Sequence, residues 1–185
     1  MNTETLIQSL IDDVRLIINK VEKLKFYELD SLKWRESENS WNILECLEHL
    51  NLYGQFYLPQ IEMEIKNSNT TSDIQFKSGL LGGYFAKSIL PKNKTKKIKT
   101  FKNKNPINAS LNIDVIDNFI DQQIRLLDLL IKSRHVSLNK IKIRTSISSF
   151  LSLNLGDTFQ FLINHIIRHL DQINRIEVAF KLSRH

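Results

Sequence analysis

Asn164-His165-Ile166-Ile167-Arg168-His169-Leu170-Asp171-Gln172 lies inside a segment whose apolar residues recur every three to four positions, through Phe159, Leu162, Ile163, Ile166, Leu170 and Ile173. That period is helical and predicts an amphipathic helix from about Asp157 to Phe180. Asp157 suits the N-cap, and Gln160 three residues on would complete a capping box. His165 and His169, four residues apart, project from the same side of such a helix. At about 100° per residue they fall beside the apolar stripe rather than opposite it, on the border of an interior. Two imidazoles at this spacing can reach one metal ion, as in the H-E-x-x-H helix of zinc proteases. The position after His165 is Ile166 and not Glu, so the pair suggests a metal without the protease chemistry. It also suits two ordinary border histidines.

Working outward, three more segments carry the same period. Leu6, Leu10, Val14, Ile17, Ile18, Val21 and Leu24 predict a first helix over about Thr3 to Tyr27. The polar stretch from Asp30 to Ser40 reads as a connection, with Trp34 packed beneath it. A second helix is announced by Asn42 as cap, Glu45 as its capping-box partner and Trp41 as a staple able to meet Cys46. It should reach Lys66 through Leu47, Leu50, Phe56, Ile61 and Ile65, with Pro59 kinking it or ending its first part. Residues 79–90 suit a short helix. A third long helix is expected over Ile113 to Ser133, burying Ile116, Phe119, Ile120, Ile124, Leu127, Leu130 and Ile131. Lys140 to Arg144 alternates like a strand, but no clear partner strand exists, so 136–154 reads as an extended connection.

Four long amphipathic segments and no convincing sheet give an all-α chain, a single-domain four-helix bundle over 1–185. The connections between the second and third helices and between the third and fourth are long. The chain of 185 residues can bury a real core, and its hydrophobic and charged fractions, 42% and 25%, are ordinary for a globular protein. No apolar run approaches the ~18 residues of a membrane span, and the start lacks the pattern of a signal peptide. One cysteine, Cys46, excludes an internal disulfide framework. A cytoplasmic location is the resulting expectation.

The net charge of +6 is concentrated. Seven lysines and no acid lie between Pro91 and Pro106, and without them 19 basic residues face 20 acids. The 91–106 segment is therefore a basic loop, either solvated or in contact with an anionic partner. Only Phe101 interrupts its lysines, which lacks the interleaved aromatics of single-strand binding and makes nucleic acid a poor candidate.

His49 stands on the second helix, on a face shared with Glu45 and Leu52. With His165 and His169 it could bind one divalent ion from two helices and leave positions open for water or substrate, as catalytic sites do. The alternative is three partly buried, hydrogen-bonded histidines. His135 sits in a polar context that suits the surface, and His185 is the last residue. Cys46 reads as a small buried apolar residue more readily than as a thiol near the metal. Glu45 reads as a capping residue and Glu48 as a surface carboxylate. Gln172, three residues after His169, either orients a metal-bound water or is simply exposed.

Trp41-Asn42-Ile43-Leu44-Glu45-Cys46-Leu47-Glu48-His49-Leu50 resembles the W-S-x-x-E-x-x-x-H-L signature of the DinB-like superfamily, the DinB/YfiT group. His165-Ile166-Ile167-Arg168-His169-Leu170-Asp171-Gln172-Ile173 is similar to its H-x-x-R-H-x-x-Q-I pattern, and Lys99-Thr100-Phe101 with Pro106 to its K-T-P…P segment. Asn42 stands where the family often has Ser; both cap helices. The resemblance implies a bundle wired up-down-down-up, often dimeric, with zinc or nickel held by His49, His165 and His169. It also implies a thiol-dependent S-transferase or isomerase that uses a low-molecular-weight thiol. With a three-histidine metal able to activate water or a thiolate, the expectation is a metal-dependent hydrolase or low-molecular-weight-thiol S-transferase acting on a small molecule. No thiol pocket is recognisable by motif, and a non-catalytic, metal-stabilised dimeric scaffold or stress-response binding module is the other expectation.

Overall fold

The computed structural model describes residues 1–90, 100–148 and 150–184. Helix α1 (Thr3–Glu22) starts at Asn2, whose side-chain oxygen accepts the Thr5 N–H, and a 3₁₀ turn (Lys23–Phe26) tightens its end. The connection that follows contains a short helix, α2 (Leu29–Lys33), in which only Leu32 is buried. Five residues are too few for a period to show in the sequence. Trp34 is half-buried and packs on Phe180, with ring centroids 5.6 Å apart.

Helix α3 (Ile43–Lys66) carries the expected capping box, Asn42 with Glu45. Pro59 does not end it. The proline removes the donor that would meet the Gln55 carbonyl, but both residues are exposed, so water can take that carbonyl. Helix α4 (Leu80–Ser88) fills the expected short segment.

Helix α5 (Asp114–Lys132) buries Ile116, Phe119, Gln123, Leu126 and Leu130. Ile124 and Ile131, expected in the core, are 55% and 47% exposed instead. Each sits one residue past a buried position, so it is turned about 100° out of the interior.

The segment expected to be unpaired forms a small antiparallel hairpin. Strand β1 (Lys142–Arg144) pairs with β2 (Ser152–Asn154), with Ile143 opposite Leu153, and those two residues face inward. Helix α6 (Leu155–Leu182) then begins two residues before Asp157, which is therefore not its cap. Asp157 is fully buried in the first turn and caps a different helix. Its carboxylate accepts from the Ser78 hydroxyl at 2.5 Å and from the N–H of Gly79, the N-cap of α4, at 2.9 Å. Gln160 instead turns back to the Gly156 carbonyl.

The chain is thus mostly helical, with six α-helices and one two-stranded sheet among the described residues. Helices α1 and α3 each pack against both α5 and α6, while α4 lies along α6. One hydrophobic cluster joins α1, α3, α5 and α6, with Val14, Leu47, Ile61, Phe119, Leu129 and Phe159 at its centre. Burying such side chains contributes roughly 1.5–3 kcal/mol each before the entropy of ordering is subtracted. No helix among the described residues is long and apolar enough to cross a membrane. For function, the consequence that matters is the contact of α3 with α6.

Candidate metal centre

That contact brings His49 of α3 against His165 and His169 of α6, all three rings buried. The Nε2 atoms of His49 and His165 are 3.2 Å apart, and those of His165 and His169 are 3.0 Å apart. Two nitrogens each about 2.0–2.1 Å from one ion stand about 3.0–3.3 Å apart, so the separations fit a shared cation.

The outer nitrogens decide the protonation. Nδ1 of His49 lies 2.6 Å from the Lys104 carbonyl oxygen, which can only accept, so the proton is on Nδ1 and the Nε2 lone pair faces inward. Nδ1 of His169 likewise donates to Gln172 Oε1 at 3.0 Å. Two lone pairs therefore point at His165 Nε2. A neutral His165 could donate one proton to one of them, leaving the other buried lone pair unmatched and its own Nδ1 without a partner. A cation at the meeting point satisfies all three Nε2 atoms together. The donor set fits a divalent transition metal held by neutral imidazoles.

Electrostatics keep the rings neutral. Burial lowers His49 to about 4, against a stabilising hydrogen bond to Lys104. Burial and the neighbouring His49 lower His169 to about 3. His165 is pushed well below the ordinary imidazole value by burial, then by His169 and His49. Deprotonated imidazole is the form that ligates metal.

A polar frame holds His49 in place. Glu45, also fully buried, accepts from its own cap residue Asn42 at 2.9 Å, from the Asn108 N–H at 2.6 Å and from Arg35 at 3.0 Å. Arg35 also donates to the Asn108 side chain. Asn108 has φ of 62°, a left-handed conformation that asparagine tolerates better than most residues. Trp41 donates from its indole to Asn105 at 3.0 Å, and its ring lies 4.7 Å from His49 and 5.8 Å from His169. The Lys104 ammonium reaches the Leu52 carbonyl at 2.6 Å and lies over the faces of Tyr53 and Phe56. Together these contacts fix the Lys104 carbonyl against His49.

Lys104 is thus engaged internally rather than solvated. Lys92, Lys94, Lys96, Lys97 and Lys99 of the basic loop lie outside the described residues, as does His185. His135 is exposed and apart from the cluster. Cys46 is buried and outside it too, and burial pushes its thiol up, so it behaves as a small core residue. Glu48 is half-buried and accepts from Asn51. Gln172 is half-buried, and its Oε1 holds His169. Two participants were missed in the sequence. Tyr53 is one turn after His49, and its ring packs 4.5 Å from His165 and 4.9 Å from His49; the spacing offered that signal. The Lys104 carbonyl offered none.

No curated protein and no solved structure matched the chain. A family model, that of the DinB superfamily, matches residues 7–173. This span takes in the capped start of α3, the loop that braces His49 and both histidines of α6, and on it the chain belongs to the DinB superfamily.

Proposed function

We propose that His49, His165 and His169 bind one divalent metal ion, zinc or nickel, and that the protein is a metal-dependent enzyme acting on a small molecule. The observation that carries this reading is the convergence of three buried Nε2 atoms, two with the lone pair fixed inward by a bond at Nδ1. A divalent ion at this position would supply Lewis acidity for either hydrolysis or transfer of a low-molecular-weight thiol. Three protein donors leave positions open for an exogenous ligand, the feature that separates catalytic from structural sites. The chain's own residues supply the rest. Lys104 and Gln172 fix ring orientation, and Trp41 and Tyr53 wall the imidazoles with aromatic surface that limits water.

The same reading places the chain as one bundle of four long helices, α1, α3, α5 and α6, wired up-down-down-up, working as a cytoplasmic homodimer. The packing of α1 and α3 each against α5 and α6 supports the bundle. Within the basic segment, Lys104 is engaged in internal contacts rather than offered to a polyanion.

Metal analysis of untagged protein reconstituted with zinc or nickel tests the proposal. About one equivalent is expected per chain, and none in the His165→Ala, His169→Ala double variant. Less than a tenth of an equivalent in the unaltered protein would overturn it.

A further inference from the structure

Metal-binding histidines nearly always give their second nitrogen to a carboxylate, a carbonyl or a water. His49 and His169 have such partners; His165 has none among the described residues. Its Nδ1 is buried without a hydrogen bond. A second buried orphan lies nearby in the fold, Oε1 of Gln123 on α5. Gln123 is only 4% exposed, and its Nε2 donates to the Phe119 carbonyl at 3.3 Å. Flipping the amide would set its oxygen against that carbonyl, so Oε1 must face elsewhere.

Both residues line the same cavity of about 20 Å³ between α3, α5 and α6. Most of its other wall is apolar, including Leu50, Leu126 and Leu162, and Gln122 lies at Gly54. A water needs roughly 10–15 Å³ and at least two polar partners. This cavity has the volume for about one, and its lining includes both residues whose Nδ1 and Oε1 lack partners.

We propose that Gln123 is a positioning residue for His165, acting through one buried water that accepts from Nδ1–H and donates to Gln123 Oε1. This rests on the metal reading above, since a metal at Nε2 is what places the His165 proton on Nδ1. The water would then complete the outer set of bonds: a carbonyl for His49, an amide oxygen for His169, and a water held by an amide oxygen for His165. Gln123 touches no substrate in this scheme; it fixes the angle of one ring.

The test is zinc and nickel titration of the full chain beside its Gln123→Met and Gln123→Glu variants. Methionine keeps the bulk and removes the acceptor, so affinity should fall roughly 10–100-fold, the usual cost of losing an outer partner. Glutamate keeps an acceptor but sets its second oxygen against the Phe119 carbonyl, so it should lose stability while its metal affinity stays within a few-fold of the unaltered protein. A merely structural role would instead lower the melting temperature of both metal-free variants in step with affinity. A crystal structure of the zinc-loaded, unaltered protein should show water within about 3 Å of both atoms, which decides the matter even if a variant does not fold. Unchanged affinity in Gln123→Met, or a dry cavity, overturns this inference and leaves the metal site standing. Failure of the unaltered protein to bind either metal overturns both.

Discussion

The Asn108 backbone N–H donates to Glu45 Oε1 at 2.6 Å, joining residues 63 positions apart. The same carboxylate closes the capping box of α3, so one side chain both starts the helix that carries His49 and anchors the loop that braces it. Glu45→Ala removes the box, frees the Asn108 N–H and leaves the Arg35 charge without its carboxylate. The expected loss is about 2–4 kcal/mol, from a cap of about 1 and charged hydrogen bonds of about 1.5–3. Urea denaturation measures it. Metal affinity should fall as well, because the Lys104 carbonyl is carried on the released loop.

Gln172 gives a cleaner separation of affinity from stability, since it is half-exposed and touches His169 through one atom. Gln172→Leu is expected to weaken zinc binding roughly 10–100-fold with little change in metal-free stability. Gln172→Glu should bind as tightly as the unaltered protein or more tightly, because a carboxylate is the stronger partner for Nδ1–H. Equal affinities for all three proteins would show that His169 needs no such support.

Acid should destabilise the metal-free protein through its histidines. The folded pKa values of His49 and His169, about 4 and about 3, lie below the ordinary 6.5. The unfolded chain therefore takes up protons first as pH falls. Stability is full above pH 6.5, declines below it, and the decline from these rings ends only once pH passes their folded values. Each such ring contributes a slope of about 1.4 kcal/mol per pH unit within that window. Denaturation midpoints at pH 7.5, 6 and 5 measure the slope, and a flat profile between 7.5 and 5 would contradict the burial of these groups.

Gly82 on α4 sits against the buried carboxylate of Asp157, and a Cβ there would stand 2.3 Å from Oδ2. Asp157 is held by Ser78 and Gly79 and has little freedom to yield. Gly82→Ala should cost about 1–3 kcal/mol, the range for overpacking a filled site. A thermal melt reads it directly.

The readable parts of this molecule were those whose cause is local. Asn42 and Glu45 lie three residues apart on one turn, and their capping box is a sequence pattern as much as a structure. The His165–His169 spacing places both rings on one side whatever surrounds the helix. His49 required the further step that its helix pack against α6; a bundle allowed that contact, and the resemblance to DinB-like proteins implied it over three merely buried histidines. Asp157 misled because Asp, followed three residues later by Gln, looks like a cap, while its partners Ser78 and Gly79 are 79 and 78 residues away. The hairpin escaped because its second strand, Ser152–Asn154, has three residues and a single inward side chain, too short to register as the partner of the alternating Lys140–Arg144 segment. Lys104 was hidden for a different reason: its contribution to His49 is a backbone oxygen, which every residue possesses.

Asp157, Asn164 and Arg168 all reach toward α4: Asp157 holds its N-cap, Asn164 donates to the Ala86 carbonyl and Arg168 to the Ile89 carbonyl. They lie seven and four residues apart, so they form one stripe of α6 beside the stripe carrying the two imidazoles. The two stripes are locked in phase. Inserting or deleting one residue between Thr158 and Phe161 would rotate His165 and His169 by about 100° relative to Asp157 and slide them about 1.5 Å along the axis. After an insertion every individual side chain would survive, yet the rings could not face His49 while Asp157 stayed on Gly79. The distance along the chain from Asp157 to His165 is therefore as much a part of the site as the histidines themselves: even a whole-turn insertion, which would restore the angle, would carry the rings about 5.4 Å along the axis and away from His49.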